Sequence, residues 1–320
     1  MKKIWKRVGI GTGICVAVLA IGFGVIVYMD ASAMIREAKK TALEPELIPA
    51  GIEGTIAFVD VNVIPMDSDC ILEEQTVVVE NGRITKIGGS QEINPPGDAL
   101  IIDGHGRFLI PGLSDMHVHL LGSENDLLLY LANGITTVRD MADGPPEYLD
   151  WRDQINAGTK TGPNLWVWSP SIRELEGFET ISSLVPEFGM VDIDKPEQAE
   201  KLVAKFAAQG YDGIKVKFVD SVEIYKAILE AAEKHDIPVD GHIPEDLWFG
   251  EDKEIFVCED RVACWNEFIN MDIEAVAHIE EVLRSADRTT DAGIRQAAQA
   301  VAADGMWIST TTYLLRSIGE

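Results

Sequence analysis

The amino-acid sequence predicts an α/β fold, a TIM-like (β/α)8 barrel of which about seven strands are present. Two observations predict this barrel and a β-rich segment before it. After Pro111, short apolar runs of four to six residues alternate with amphipathic helical stretches, and repeated βα units of this kind build parallel sheets. Before Pro111, apolar and polar residues alternate with a period of two, which is typical of strands with one buried face. The N-terminal region therefore adds a β-rich segment and, before it, an uncharged stretch predicted as a transmembrane helix.

The composition is that of a globular chain with an acidic surface. Of 320 residues, 46% are hydrophobic and 25% are charged. Lys and Arg number 27 against 53 Asp and Glu, which gives a formal net charge of -26. Such a chain repels the phosphates of nucleic acid, so we exclude nucleic-acid partners.

The first 33 residues are predicted to be a membrane anchor. Residues 8–29 contain no charged side chain, and a helix of that length spans about 30 Å of hydrocarbon. Four basic residues precede this stretch, which favours a cytoplasmic N-terminus and an extracytoplasmic catalytic domain. Small residues at 31–33 resemble a signal-peptidase site, so secretion after cleavage is the alternative. Residues 34–50 are predicted to be a linker.

Residues 51–112 are predicted to form an antiparallel sheet. Asn81 and Gly82 form a hairpin turn signal between two of its strands. The predicted strands are Thr55–Val61, Gln75–Glu80, Ile84–Ile87, Leu100–Asp103 and Phe108–Ile110.

Residues 113–320 are predicted to form an incomplete barrel. Helices are expected over Lys195–Gln209 and Ser221–His235, and a closed barrel needs one strand more than the seven that we find. We therefore expect the chain to stop before the eighth barrel strand. The seven apolar runs lie near Leu113–Val118, Thr136–Val138, Leu165–Trp168, Gly213–Phe218, Ile237–Gly241, Ala275–Ile279 and Met306–Thr310.

Ligand-type residues follow the ends of these predicted strands. His117 and His119 alternate along the first strand, so both side chains point to the same face. Two imidazoles so placed can bind one metal ion. Lys215, His242 and His278 end the fourth, fifth and sixth strands, and the carboxyl ends of parallel strands meet at one face. Four of the six histidines in the chain lie at such ends.

Four segments together resemble the amidohydrolase superfamily, in particular its imidazolonepropionase-like and prolidase-like members. They are PGLSDMHVH, YDGIKVKF, IPVDGH and EAVAHIE, in this order. The resemblance implies a metal-dependent hydrolase of carbon–nitrogen bonds in amides, cyclic amides or dipeptides. It also implies a distorted TIM barrel and a β-sandwich built from both chain ends, of which residues 51–112 would form the N-terminal half.

The resemblance implies a metal site of one or two divalent ions, with zinc first and manganese or iron as alternatives. In that family the lysine is often carbamylated and bridges two metals. The family's catalytic aspartate follows the eighth strand, so we expect it beyond Glu320 and expect this chain alone to be inactive. The implied metal ligands are His117, His119, Lys215, His242 and His278.

Several alternatives stay open at the level of sequence. Lys217 lies on the same strand face as Lys215 and is the second choice of ligand. Arg139 and Asp140 either line the pocket or form a buried ion pair beneath it. The same site would also serve a metal-dependent lactonase or esterase, and a fragment or pseudoenzyme would keep only a binding role. The expected partners are a small-molecule or short-peptide substrate and the membrane, with a homo-oligomer left open.

Overall fold

The computed structural model describes two compact units. The first contains residues 54–114 together with Tyr130–Thr136, and the second contains Asp115–Leu129 and the described residues from Thr137 onward. The described residues are 54–120, 122–141, 144–174, 190–244, 246, 275–276, 291–304 and 307–308.

The first unit is a five-stranded sheet around a small valine core. Its strands are β1 (Thr55–Val63), β2 (Leu72–Glu80), β3 (Arg83–Gly89), β4 (Leu100–Asp103) and β5 (Phe108–Leu109). The order is β3-β2-β1-β4, with β5 also paired to β1. Asn81 and Gly82 both have positive φ, 51° and 74°, as a two-residue type I′ hairpin requires. Val61, Val63 and Val77 form the core of this unit.

This sheet is mixed, so the prediction of a purely antiparallel sheet is wrong for its last two strands. β1 pairs antiparallel with β2, and β2 with β3, as predicted. β4 and β5, however, pair with β1 in parallel. Parallel pairing needs a long crossover connection, and here β2, β3 and residues 90–99 lie between β1 and β4, with residues 90–99 connecting β3 at one edge of the sheet to β4 on the other side of β1.

The second unit repeats strand and helix along the chain. Its elements, of which β6 and β7 begin in the first unit, are β6 (Leu113–Val118), α1 (Glu124–Ala132), β7 (Ile135–Asp140), α2 (Pro146–Asn156), β8 (Asn164–Val167), β9 (Ile172–Glu174), β10 (Val191–Ile193), α3 (Ala199–Gln209), β11 (Ile214–Val216), α4 (Val222–Lys234), β12 (Val239–Gly241), β13 (Ala275–Val276), α5 (Asp291–Asp304) and β14 (Trp307–Ile308). Strands are found at all seven predicted positions. β9 and β10 were not predicted, because three-residue strands that contain charges show no apolar run.

The strands of this unit form parallel sheets. Their orders are β6-β7-β8 and β10-β9-β11-β12-β13-β14. A parallel bridge between Trp168 and Gly213 joins the end of β8 to the start of β11. The described strand pairs do not trace a closed barrel.

The helix predicted over Ser221–His235 is found as α4, and the helix predicted over Lys195–Gln209 is found as α3, which begins only at Ala199, after a 3-10 turn at Pro196–Gln198. Ser221 caps α4, and its hydroxyl accepts a hydrogen bond from Ile224 N at 3.3 Å, which satisfies one of the free amides of the first turn. α3 ends at Gly210, whose φ of 84° is the left-handed conformation that glycine adopts at helix ends. Val203 and Phe206 of α3 are buried. These faces hold the helices against neighbouring elements of the same unit.

Within the described ranges, no helix is both long enough and apolar enough to cross a membrane. The span predicted over residues 8–29, the linker over residues 34–50 and His278 all lie outside the described residues.

Gly241 is expected to be indispensable for the pairing of β11 with β12. Its φ is 149°, and a Cβ there would lie 1.9 Å from Val216 O. We expect Gly241→Ala to lower the free energy of unfolding by roughly 3 kcal/mol or more. At Gly158, where φ is also positive but no atom lies within 4 Å of a Cβ, alanine should cost only about 1–2 kcal/mol. Urea unfolding of both variants measures the difference, and equal losses would contradict the steric account.

Candidate functional site

The two histidines of the first parallel strand lie side by side. The ring centroids of His117 and His119 are 5.4 Å apart and their planes differ by 23°. This agrees with the expectation that alternate residues share a strand face. Two imidazoles that share one tetrahedral zinc ion, with Zn–N bonds of about 2.0–2.1 Å, hold their ring centres roughly 5 Å apart. The pair therefore fits a divalent cation in donor type and in spacing.

Two consecutive residues of β7 hold the backbone on either side of this histidine pair. Arg139 Nε donates a hydrogen bond to Met116 O at 2.7 Å, immediately before His117. Asp140 Oδ1 accepts a hydrogen bond from Leu120 N at 3.0 Å, immediately after His119. The tripeptide that carries both imidazoles is thus fixed at both ends by side chains of the neighbouring strand.

The loop after His119 is held by a buried tyrosine. Tyr148 OH accepts a hydrogen bond from Gly122 N at 2.5 Å. Burial raises the pKa of Tyr148, and the negative charge of Asp140 raises it further. The hydroxyl therefore stays protonated and neutral across the physiological pH range.

Lys215 on β11 is buried next to an acidic residue of β12. The residue is 2% exposed, and its backbone N–H donates to Ser169 Oγ at 3.1 Å. Lys215 is the register partner of Asp240, which is 1% exposed. Burial raises the pKa of Asp240, while the charges of Arg139 and Lys215 oppose that shift.

Arg139 forms a buried ion pair with Asp240, whereas the alternative stated from the sequence paired Arg139 with Asp140. The two atoms Arg139 Nη2 and Asp240 Oδ2 are 2.6 Å apart. The guanidinium also lies over the ring of Trp168, 4.7 Å from its centroid. Arg139, Asp240 and Lys215 therefore form a buried cluster of charges among the parallel strands. Sequence reasoning missed Asp240, although it stands two residues before His242, the same spacing as that between His117 and His119.

His242 follows β12 directly and is half-buried. Its backbone N–H donates to Val216 O at 3.0 Å, which continues the pairing of β11 with β12 by one residue. Its ring meets the edge of the Phe218 ring at a centroid distance of 5.9 Å. The half-buried Lys217 places its Nζ 5.0 Å from the centre of the same phenylalanine ring. Phe218 thus contacts both side chains.

The structure brings several of the predicted site residues together. His117 lies with His119, and Lys215 lies with Asp240 and Arg139. Within the part of the chain that the structure describes, no three His, Cys, Asp or Glu side chains gather closely enough to hold a metal ion. Lys215 is not one of these residue types, and His278 is outside the described residues. The five-residue ligand set therefore stays a prediction.

No family model matches the chain. The enamidase of Eubacterium barkeri is 37% identical over 98 residues, which cover 28% of this chain and 25% of the enamidase. The 5-methylthioadenosine/S-adenosylhomocysteine deaminase of Carboxydothermus hydrogenoformans is 25% identical over 219 residues, which cover 61% of this chain and 50% of the deaminase.

The chain is similar to members of the amidohydrolase superfamily. A solved Xaa-Pro dipeptidase with bound methionine in the active site is similar to it, with a TM-score of 0.59 and 19% identity over 80% of this chain and 66% of that one. A likeness at this identity concerns the fold alone, and it implies a TIM-barrel-like α/β fold. The matched segments span between a quarter and a half of the two curated relatives.

Asp140 is expected to stabilise the loop after the histidine pair through its bond to Leu120 N. Asp140→Ala leaves this buried amide without its acceptor, so we expect a loss of about 1–3 kcal/mol in the free energy of unfolding. Asp140→Asn keeps an oxygen in the same place and should lose clearly less. Chemical unfolding of the two variants tests this expectation, and an asparagine variant as unstable as the alanine variant would contradict it.

Proposed function

We propose that the protein is a metal-dependent hydrolase that cleaves a carbon–nitrogen bond in an amide, a cyclic amide or a dipeptide. The observation that carries the proposal is the pair of imidazoles of His117 and His119, 5.4 Å apart and fixed at the end of a parallel strand. Similarity to members of the amidohydrolase superfamily supports it, because the curated relatives act on carbon–nitrogen bonds.

The proposed ligands are His117 and His119 for one ion and Lys215, His242 and His278 for a second. Imidazole nitrogens suit zinc and iron, while carboxylate-type oxygens suit manganese, and zinc is the first choice. A bound divalent ion supplies a water molecule whose pKa is brought to about 7, so that hydroxide is available at neutral pH. The substrate class proposed from this chemistry is a small molecule or a short peptide.

Lys215 is proposed to act as a carbamate. An ammonium does not bind a cation, so Lys215 can serve as a metal ligand only after it loses its positive charge. The neutral amine of Lys215 would add to carbon dioxide, form an N–C bond and release one proton to solvent. The product is an anionic group with the oxygen ligands of a carboxylate. Arg139 beside Asp240 keeps a positive charge close to this added negative charge.

The N-terminal residues support a further part of the proposal. Because residues 8–29 carry no charge and basic residues precede them, we propose a membrane-anchored protein with its hydrolase domain outside the cytoplasm. Secretion after cleavage of the segment is the alternative.

A non-catalytic binding role is the second candidate function. It is one of the alternatives that the sequence leaves open. Metal analysis separates it from the first candidate, because a binding domain that has lost the site retains no tightly bound ion.

Removal of the histidine pair is expected to remove the metal. The full chain, purified without chelator, should contain one or two equivalents of zinc, manganese or iron by elemental analysis. The double variant His117→Asn with His119→Asn should lose most of it, because two of the ligands are gone.

His105→Asn is the matched control for this experiment. His105 lies in a turn of the first unit with a φ of 49°, a conformation that asparagine tolerates. This variant should keep the metal content of the wild-type chain. A wild-type chain that is folded and free of metal would contradict the proposed hydrolase and favour the binding role.

A further inference from the structure

We infer that Arg139 is a positioning residue that couples the histidine pair at the end of β6 to Lys215 and His242 on β11 and β12. This inference rests on the proposed function, because it concerns the placement of the proposed metal ligands. In this role Arg139 fixes the positions of the proposed ligands relative to one another and contacts neither the metal nor the substrate.

The geometry of one guanidinium carries the inference. Arg139 is 7% exposed, and its side chain reaches two other strands. Nε donates to Met116 O of β6 at 2.7 Å, while Nη2 lies 2.6 Å from Asp240 Oδ2 of β12. The flat face of the group lies 4.7 Å from the centre of the Trp168 ring, which limits rotation of the guanidinium plane.

Each contact lies next to a proposed ligand. The carbonyl of Met116 precedes His117, so holding it fixes the backbone orientation from which that imidazole projects. Asp240 is the register partner of Lys215 and stands two residues before His242. A displacement of Arg139 therefore moves ligands on both sides of the site.

A guanidinium is the side chain that this arrangement requires. Its donors are fixed in one plane at set angles, so a single group can donate to acceptors on two different strands. A lysine has one nitrogen on a flexible chain, and it can keep the charge opposite Asp240 without reproducing the planar fork. Arg139→Lys therefore separates charge from positioning.

The chain offers a matched control in a second buried arginine. Arg173 on β9 pairs with Asp192 on β10 through Nε and Oδ1 at 2.6 Å, and Arg173 is itself buried. β9 and β10 carry none of the proposed ligands. Loss of this pair should reduce stability as loss of the Arg139 pair does, because each leaves a buried or half-buried carboxylate without its arginine.

The experiment compares Arg139→Lys and Arg139→Gln with Arg173→Lys and Arg173→Gln in the full chain. The dissociation constant for Zn²⁺ is measured by competition with a chromophoric chelator. Substitution of residues that orient metal ligands typically weakens metal binding 10–100-fold, so we expect losses of about that size for both Arg139 variants. The zinc dissociation constants of the Arg173 variants should stay within about threefold of that of the wild-type chain.

Histidine-ring NMR signals of the metal-free proteins provide a second readout. Only the Arg139 variants should shift the ring signals of His117 and His119.

The outcomes are distinguishable. Wild-type zinc affinity in Arg139→Lys, or an equal loss in the Arg173 variants, overturns the inference and leaves the proposed function intact. A wild-type chain that binds no zinc contradicts the proposed function, and the ring signals then decide the positioning role: unchanged signals in Arg139→Lys overturn it.

If the single Arg139 variants do not fold, Arg139→Met with Asp240→Leu removes both charges, an exchange that is often neutral for stability. Wild-type ring signals in that double variant would likewise overturn the inference.

Discussion

A guanidinium and a carboxylate are buried together among the parallel strands, with Arg139 Nη2 2.6 Å from Asp240 Oδ2. Removing either partner would leave an uncompensated charge away from water, which is strongly destabilising. The strands that carry the two groups, β7 and β12, are therefore held at one position relative to each other. The histidine pair and Lys215 take their positions from this constraint, since Arg139 also holds β6 and Asp240 lies beside Lys215 on β11.

Much of this arrangement could be predicted from local patterns. The alternation of His117 and His119 fixes their common face, because side chains alternate along a strand. The hairpin at Asn81 and Gly82, and the cap at Ser221, follow from residue types that suit those conformations. The positions of the seven barrel-type strands follow from apolar runs between helical stretches.

Contacts that depend on the folding of distant segments could not be predicted in the same way. The ion-pair partner of Arg139, Asp240, lies far along the chain on another strand, and Asp140 accepts a hydrogen bond from Leu120 N, which is also distant in sequence. The parallel pairing of β4 with β1 depends on the path that the chain takes from β3 to β4. The alternation of apolar and polar residues within a strand carries no information about that path. Gly241 shows its importance only when Val216 O is placed beside it.

The central claim is that His117 and His119 together bind a metal ion at the end of the first parallel strand. The most direct test is a crystal structure of the full chain with zinc, with anomalous diffraction recorded at the zinc absorption edge. The account predicts an anomalous peak about 2.0–2.1 Å from one ring nitrogen of each histidine. A zinc-saturated crystal whose peaks all lie away from these two rings would contradict it.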